Sequence, residues 1–144
     1  MEWMLRPLRR YADFSGRSQR QEYWMFMLLS ALLYLAAVIV LVIFAETSNS
    51  AGKPGDPAAS NGMLIGIFLI ILLYLALFIP TLAAKVRRLH DQDLSGWFVL
   101  LGFIPNLGWF IMLIFMCIDG TAGQNRFGPD PKGRGGDYHA DVFA

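Results

Sequence analysis

Three apolar blocks, residues 23–45, 63–84 and 97–118, contain no Asp, Glu, Lys or Arg. That absence constrains the fold more than any other feature of the chain. Each block has 22 or 23 residues, and at about 1.5 Å of rise per helical residue such a run crosses a hydrocarbon core of about 30 Å. Hydrophobic residues are 56% of the chain and charged ones 16%, against roughly 45–50% and about 25% in soluble domains. A core helix of a soluble protein keeps polar residues on its outer face, and these blocks keep almost none. The expected fold is an all-α integral membrane protein. The first block exceeds the roughly 7–15 residues of a signal-peptide core and has Ile43 at the outer cleavage position, so it is expected to remain as an anchor.

The segments around the blocks fit that expectation. Tyr23, Trp24 and Trp97 stand where aromatic residues favour a membrane–water interface. Ser30, Tyr34, Tyr74 and Thr81 are expected to bond across helices or to backbone. Gly62 and Gly66 form one G-x-x-x-G, a route to close helix contact and to a homo-oligomer. One membrane domain, residues 1–131, is expected, followed by a flexible tail, 132–144. The single Cys117 excludes an internal disulfide and a cysteine-based metal or redox centre. A net charge of +1 gives no footprint for nucleic acid.

Before the first block, Met4, Leu5, Leu8 and Tyr11 fall on one side of a helix and Arg6, Arg9, Arg10 and Asp13 on the other, flanked by Trp3, Pro7 and Phe14. This is the pattern of a short amphipathic helix lying in the membrane interface. Pro7 is tolerable there only within the first turn. Ser18 and Gln21 have the spacing of a capping box opening the first span. Residues 46–62 read as an exposed link with Lys53 its only basic residue. Residues 85–95 read as a loop crowded with Lys85, Arg87, Arg88, His90, Asp91 and Asp93.

Counting Lys and Arg on either side places the amino terminus in the cytoplasm. If all three blocks span, the count is eight against four. The third block, however, is interrupted by Ile104, Pro105, Asn106, Leu107 and Gly108, where proline removes a backbone donor and disfavours helix before it. It is either a kinked span or a re-entrant segment covered by the other helices. Re-entry makes the count eleven against one, which favours a cytoplasmic carboxy terminus.

The chain resembles the small bacterial inner-membrane proteins grouped as domain of unknown function 805. The resemblance rests on Phe14, Ser15, Gly16 and Arg17 with Glu22, Tyr23 and Trp24; then on Arg87, Arg88, Leu89, His90 and Asp91 leading to Ser95, Gly96 and Trp97. It continues through Ile104, Pro105 and Gly108, then Asn125, Arg126, Phe127 and Gly128, to Asp130 and Pro131. The chain departs from the family pattern at Asp93, where glycine is favoured, at Phe98 (tryptophan) and at Phe127 (tyrosine). The resemblance implies a multi-pass bacterial inner-membrane location and no established activity.

The basic face has three readings. In the first, Arg17, Arg20, Arg87 and Arg88 clamp an anionic lipid phosphate or a protein partner, with His90 and Asp91 orienting them. Trp97 belongs to the same face, and Asn125 and Arg126 join it if the tail is inside. Adjacent Arg87 and Arg88 cannot both face one pocket, and the plain alternative is that they set topology and snorkel. In the second reading the broken third block contributes to an oligomeric channel or transporter, although no ionisable group lies within the blocks. In the third, His90 serves as acid–base in a lipid-head-group enzyme, although neither Asp91 beside it nor any nucleophile, metal or phosphate-loop motif supports it. The expectation is a non-catalytic protein without cofactor or metal.

Overall fold

The computed structural model describes residues 2–51 and 57–134, with side chains described for 3–46 and 62–134. Lys53, His139 and residues 135–144 of the tail lie outside the described residues. Within them the chain is all-helical with no strand: α1 (Glu2–Arg9), α2 (Arg20–Ala51), α3 (Pro57–Asp91), a 3-10 helix (Gly96–Phe103) and α4 (Gly108–Cys117). Two stretches are long and apolar enough to cross a membrane, Arg20–Glu46 and Gly62–Asp91, each with a mean hydropathy of 2.9. Their most apolar windows are only 11% and 6% buried. A core helix of a soluble protein would be mostly buried, so these surfaces call for lipid.

The chain divides into two compact units. The first, residues 27–79, is the apolar body of α2 and α3. Here Gly66 faces Leu41, whose Cδ1 would stand 2.3 Å from an added Cβ, and Gly62 faces Phe44 in the same way. The small-residue face expected to bring helices together thus receives α2 of the same chain. Tyr34 and Tyr74 approach with ring centroids 6.4 Å apart.

The second unit, residues 1–26 and 80–144, holds the charged motifs. The run from Lys85, expected as a loop, is helical through Asp91, because its buried charges find partners and α3 need not end before them. The helix then closes with Asp93 N–H donating to His90 O (3.0 Å) and Leu94 N–H donating to Leu89 O (3.0 Å). This is the paired-bond helix ending that needs one left-handed residue. Asp93 supplies it at φ +59°, at the position where the family resemblance carries glycine.

Two further local expectations fail. Ser18 Oγ is buried without a hydrogen-bond partner, and α2 opens at Arg20, so the capping box does not form. The Ser18 N–H instead donates to Arg87 O at 3.2 Å, which ties the residue to α3. Pro7 is buried in the second turn of α1 rather than the first.

The third apolar block is two short helices. Between them Asn106 turns at φ +63°, and Gly108 N–H donates to Ile104 O at 2.8 Å. Gly108 is required there: a Cβ would stand 2.5 Å from Leu101 O and 2.6 Å from Gly102 O. The two helices pack on each other, with Phe98 edge-on to Phe115 at 6.3 Å between centroids.

Candidate functional site: an arginine cluster with an outer basic rim

The last carbonyls of a helix have no partner within it and attract cationic donors. At the end of α4, four successive carbonyls each receive a side chain from another element. Gln92 donates to Phe115 O. Arg88 donates through Nε to Met116 O at 3.5 Å and through Nη2 to Ile118 O. Arg20 donates through Nη1 to Cys117 O at 3.1 Å. The end of α4 is therefore fixed to the start of α2 and the end of α3.

Asp91 is the hub of the interior. Its carboxylate accepts from Arg88 Nη1 on one oxygen and from Arg17 Nε at 2.9 Å on the other. All three side chains are at most 2% exposed. Arg17 goes on to bind the tail, donating to Thr121 O (2.5 Å), Gly123 O (2.6 Å) and Gly128 O (3.4 Å). The tail answers, Thr121 N–H donating to Asp91 O at 2.9 Å. Gly120 must lack a side chain, since a Cβ there would stand 1.9 Å from Asp91 Oδ2.

The turn at residues 125–128 completes this side. Asn125 and Gly128 exchange backbone hydrogen bonds of 3.1 Å, with Gly128 at φ +135°, and Asn125 Nδ2 donates to His90 O at 2.9 Å. The His90 ring stacks on Phe127 at 3.9 Å, tilted by 5°. Arg126 lies over the Phe127 ring at 4.9 Å and pairs with Asp93 at 3.1 Å. The carboxylate beside His90 is thus engaged by arginines.

Arg87, fully buried, occupies a separate place, as its position one residue from Arg88 requires. Its Nη2 lies 3.6 Å from Glu22 Oε1, and the other Glu22 oxygen lies 3.7 Å from Arg6 of α1. No described hydrogen bond reaches the Arg87 guanidinium, so the pairing is purely coulombic.

Outside this neutralised interior lies a rim of exposed cations. Arg20 Nη2 (3.0 Å), Lys132 Nζ (2.5 Å) and Arg134 Nη1 (3.5 Å) converge on the exposed carboxylate of Asp119. Lys132, by its hydrogen bond, holds the Asp119 carboxyl below the usual range. Burial of Asp130 would raise its carboxyl, but hydrogen bonds from the Arg134 side chain and from the Lys132 and Arg134 N–H groups outweigh burial and hold it at about 2. A pocket of about 380 Å³ lined by Gln19, Arg20, Gln21, Pro131 and Lys132 opens beside the rim. It shares Arg20 and Gln21 with a cleft of about 500 Å³ continuing along Trp24, Met25 and Cys117.

Of the residues singled out in the sequence, Arg17, Arg88, His90, Asp91 and Asn125 come together around the tail. Arg87 sits beside them against Glu22, Arg20 lies on the rim, and Arg126 at an exposed edge. Trp97, 77% exposed, joins none of the described contacts. Glu22, Gln92, Asp119, Gly120, Asp130, Lys132 and Arg134 went unassigned in the sequence reading. Glu22 and Asp130 did carry a signal, because both fall within the motifs behind the family resemblance. Among the described residues no group of three His, Cys, Asp or Glu is placed to hold a metal ion.

Two long apolar helices, a pair of short apolar ones and arginines turned inward define a small helical membrane protein. The comparisons give the family. Residues 11–129 match "Protein of unknown function (DUF805)", and the chain belongs to that family. It is 41% identical over 133 residues to Inner membrane protein YhaI of Escherichia coli strain K12, covering 92% of this chain and 97% of that one. It is 40% identical over 132 residues to Inner membrane protein YhaH of the same strain, covering 92% and 98%. Uncharacterized protein YiiR of that strain is 28% identical over 149 residues, covering 83% and 86%. No solved structure matches.

Proposed function

We propose that this chain is a non-catalytic, multi-pass inner-membrane protein whose cytoplasmic rim of cations binds anionic lipid head groups. The location is supported by the relatives named as inner membrane proteins and by the two apolar spans. The observation that carries the binding reading is the convergence of Arg20, Lys132 and Arg134 on the single exposed Asp119. Residues 2–26 and 80–134 contain eleven Lys and Arg against seven Asp and Glu, a sign suited to an anionic leaflet. Arg17 and Arg88 form the platform beneath, because internal acceptors already occupy their donors, and Arg87 is buried against Glu22.

The same contacts support a re-entrant third segment. If α2 and α3 each cross once, Arg20 and Asp91 lie on one side. Ile118, Thr121 and Gly123 are bonded to Arg88, Asp91 and Arg17, so the segment that leaves after Asp93 returns to the side it left. Its helices, of eight and ten residues, each extend about 15 Å, half of a core of about 30 Å. The amphipathic reading of α1 draws support from Trp3 and Leu5, 36% and 44% exposed, which would meet lipid in the interface.

Lipid retained through purification tests the binding reading. Native mass spectrometry of wild type is expected to show phosphatidylglycerol retained over phosphatidylcholine, and Arg20→Gln/Lys132→Gln is expected to lose that preference. An unchanged preference in the double variant contradicts the proposal.

A further inference from the structure

We infer that the bound lipid is held along its length: its phosphate at Arg20 and Lys132, and its glycerol and first acyl carbons in the cleft of Trp24, Met25 and Cys117. This rests on the head-group reading above and adds the demand that the ligand be a membrane phospholipid rather than any free phosphate.

The two cavities share the wall formed by Arg20 and Gln21, and they are graded. The pocket of about 380 Å³ presents Gln19, Arg20, Gln21 and Lys132, which are two cations and two amides, the donors that suit a phosphodiester and its ester carbonyls. The cleft of about 500 Å³ that shares Arg20 and Gln21 is otherwise lined by Trp24, Met25 and Cys117. Trp24 and Met25 lie one turn of α2, about 5–6 Å, further into the apolar span. Polarity therefore falls along the helix axis as it does from the head group of a phospholipid to its chains. Trp24 is 42% exposed, and an indole at this depth packs against acyl chain while its N–H stays in the interface.

Asp119 occupies the place a phosphate would take. It holds Arg20 at 3.0 Å and Lys132 at 2.5 Å while itself 43% exposed. Arg134 is shared with Asp130 at 2.9 Å, which leaves Arg20 and Lys132 facing one negative charge. A lipid phosphate completes the balance in competition with Asp119. Removing that carboxylate should tighten binding, and removing a cation should weaken it, by about fivefold for one charge near the surface.

The test uses the full chain in detergent, with native mass spectrometry reading retained dioleoyl phosphatidylglycerol, dioleoyl phosphatidylcholine as reference, and glycerol 3-phosphate as soluble competitor. Asp119→Asn is expected to raise phosphatidylglycerol retention about fivefold. Met25→Ala and Cys117→Phe, the latter filling the cleft, are expected to lower it severalfold, and millimolar glycerol 3-phosphate is expected not to displace the lipid. If Arg20→Gln lowers retention while both cleft variants bind as wild type, or if glycerol 3-phosphate displaces the lipid, the acyl inference is overturned and the head-group reading stands. If Arg20→Gln/Lys132→Gln leaves the preference for phosphatidylglycerol intact, both fall. Helicity and elution volume matching wild type establish that each variant is folded. Should Met25→Ala fail that control, Cys117→Phe alone decides.

Discussion

A buried arginine is tolerated when every direction its guanidinium faces offers an acceptor or a counter-charge. Arg17 and Arg88 meet that condition through the shared carboxylate of Asp91, through Asp130, which lies 3.8 Å from Arg17, and through a series of backbone carbonyls. Asp91→Asn takes the paired carboxylate from Arg88 and leaves Arg17 with only the more distant Asp130. Removing one partner of a buried ion pair costs about 3–5 kcal/mol, and Asp91→Asn is expected to lower the unfolding midpoint in detergent accordingly, where an exposed exchange such as Gln124→Ala should move it little. The acid limit lies at Asp130. Its carboxyl is held at about 2, below the roughly 3.9 of an unfolded Asp. The stability it contributes is therefore fully present above about pH 4 and is lost as pH falls toward 2. Proteolysis of the tail in mildly acidic buffers should be flat down to about pH 4 and rise below it. Asp130→Asn should reduce that rise, leaving the part that Asp119 contributes through Lys132 and Arg134.

The elements show which parts of the fold sequence alone exposes. The apolar blocks announce the spans because membrane insertion acts on every residue of a helix, so twenty positions repeat one message. Pro105 and Gly108 stand where the chain turns between the 3-10 helix and α4, and their signal is local for the same reason. The boundaries of α3 were not, because a charged run ends a helix only if its charges need water. The partners that spare it, Arg17 for Asp91 and Glu22 for Arg87, stand far away in the chain. The Ser18 cap failed likewise: its spacing was right, but a backbone bond to Arg87 fixed the residue elsewhere. Gly120 and Gly108 make the same point, being glycines whose necessity appears only with the neighbour in place. Gly108→Ala is expected to cost about 1–3 kcal/mol, as overpacking usually does. Backbone carbonyls cannot move aside as a side chain does, so the loss should show as a lower unfolding midpoint and reduced yield in membranes.

Across the whole molecule, the arginine motifs acquire a different meaning from the one their charge suggests. In sequence they read as a cytoplasmic clamp or as topology signals. In the structure the inner three are neutralised, two of them binding the end of α4 and the tail, and the exposed cations gather on a rim around Asp119. We propose that the tail lies on the same side as the amino end of α2, so that the third segment enters and returns. Cysteine accessibility tests this in cells expressing the full chain. In a Cys117→Ser background, Gln124→Cys marks an exposed tail position, and Lys53→Cys marks the first loop as the control for the opposite side. With a membrane-impermeant maleimide, Lys53→Cys is expected to be labelled in spheroplasts and Gln124→Cys only in inverted vesicles. Labelling of Gln124→Cys in intact spheroplasts would contradict it.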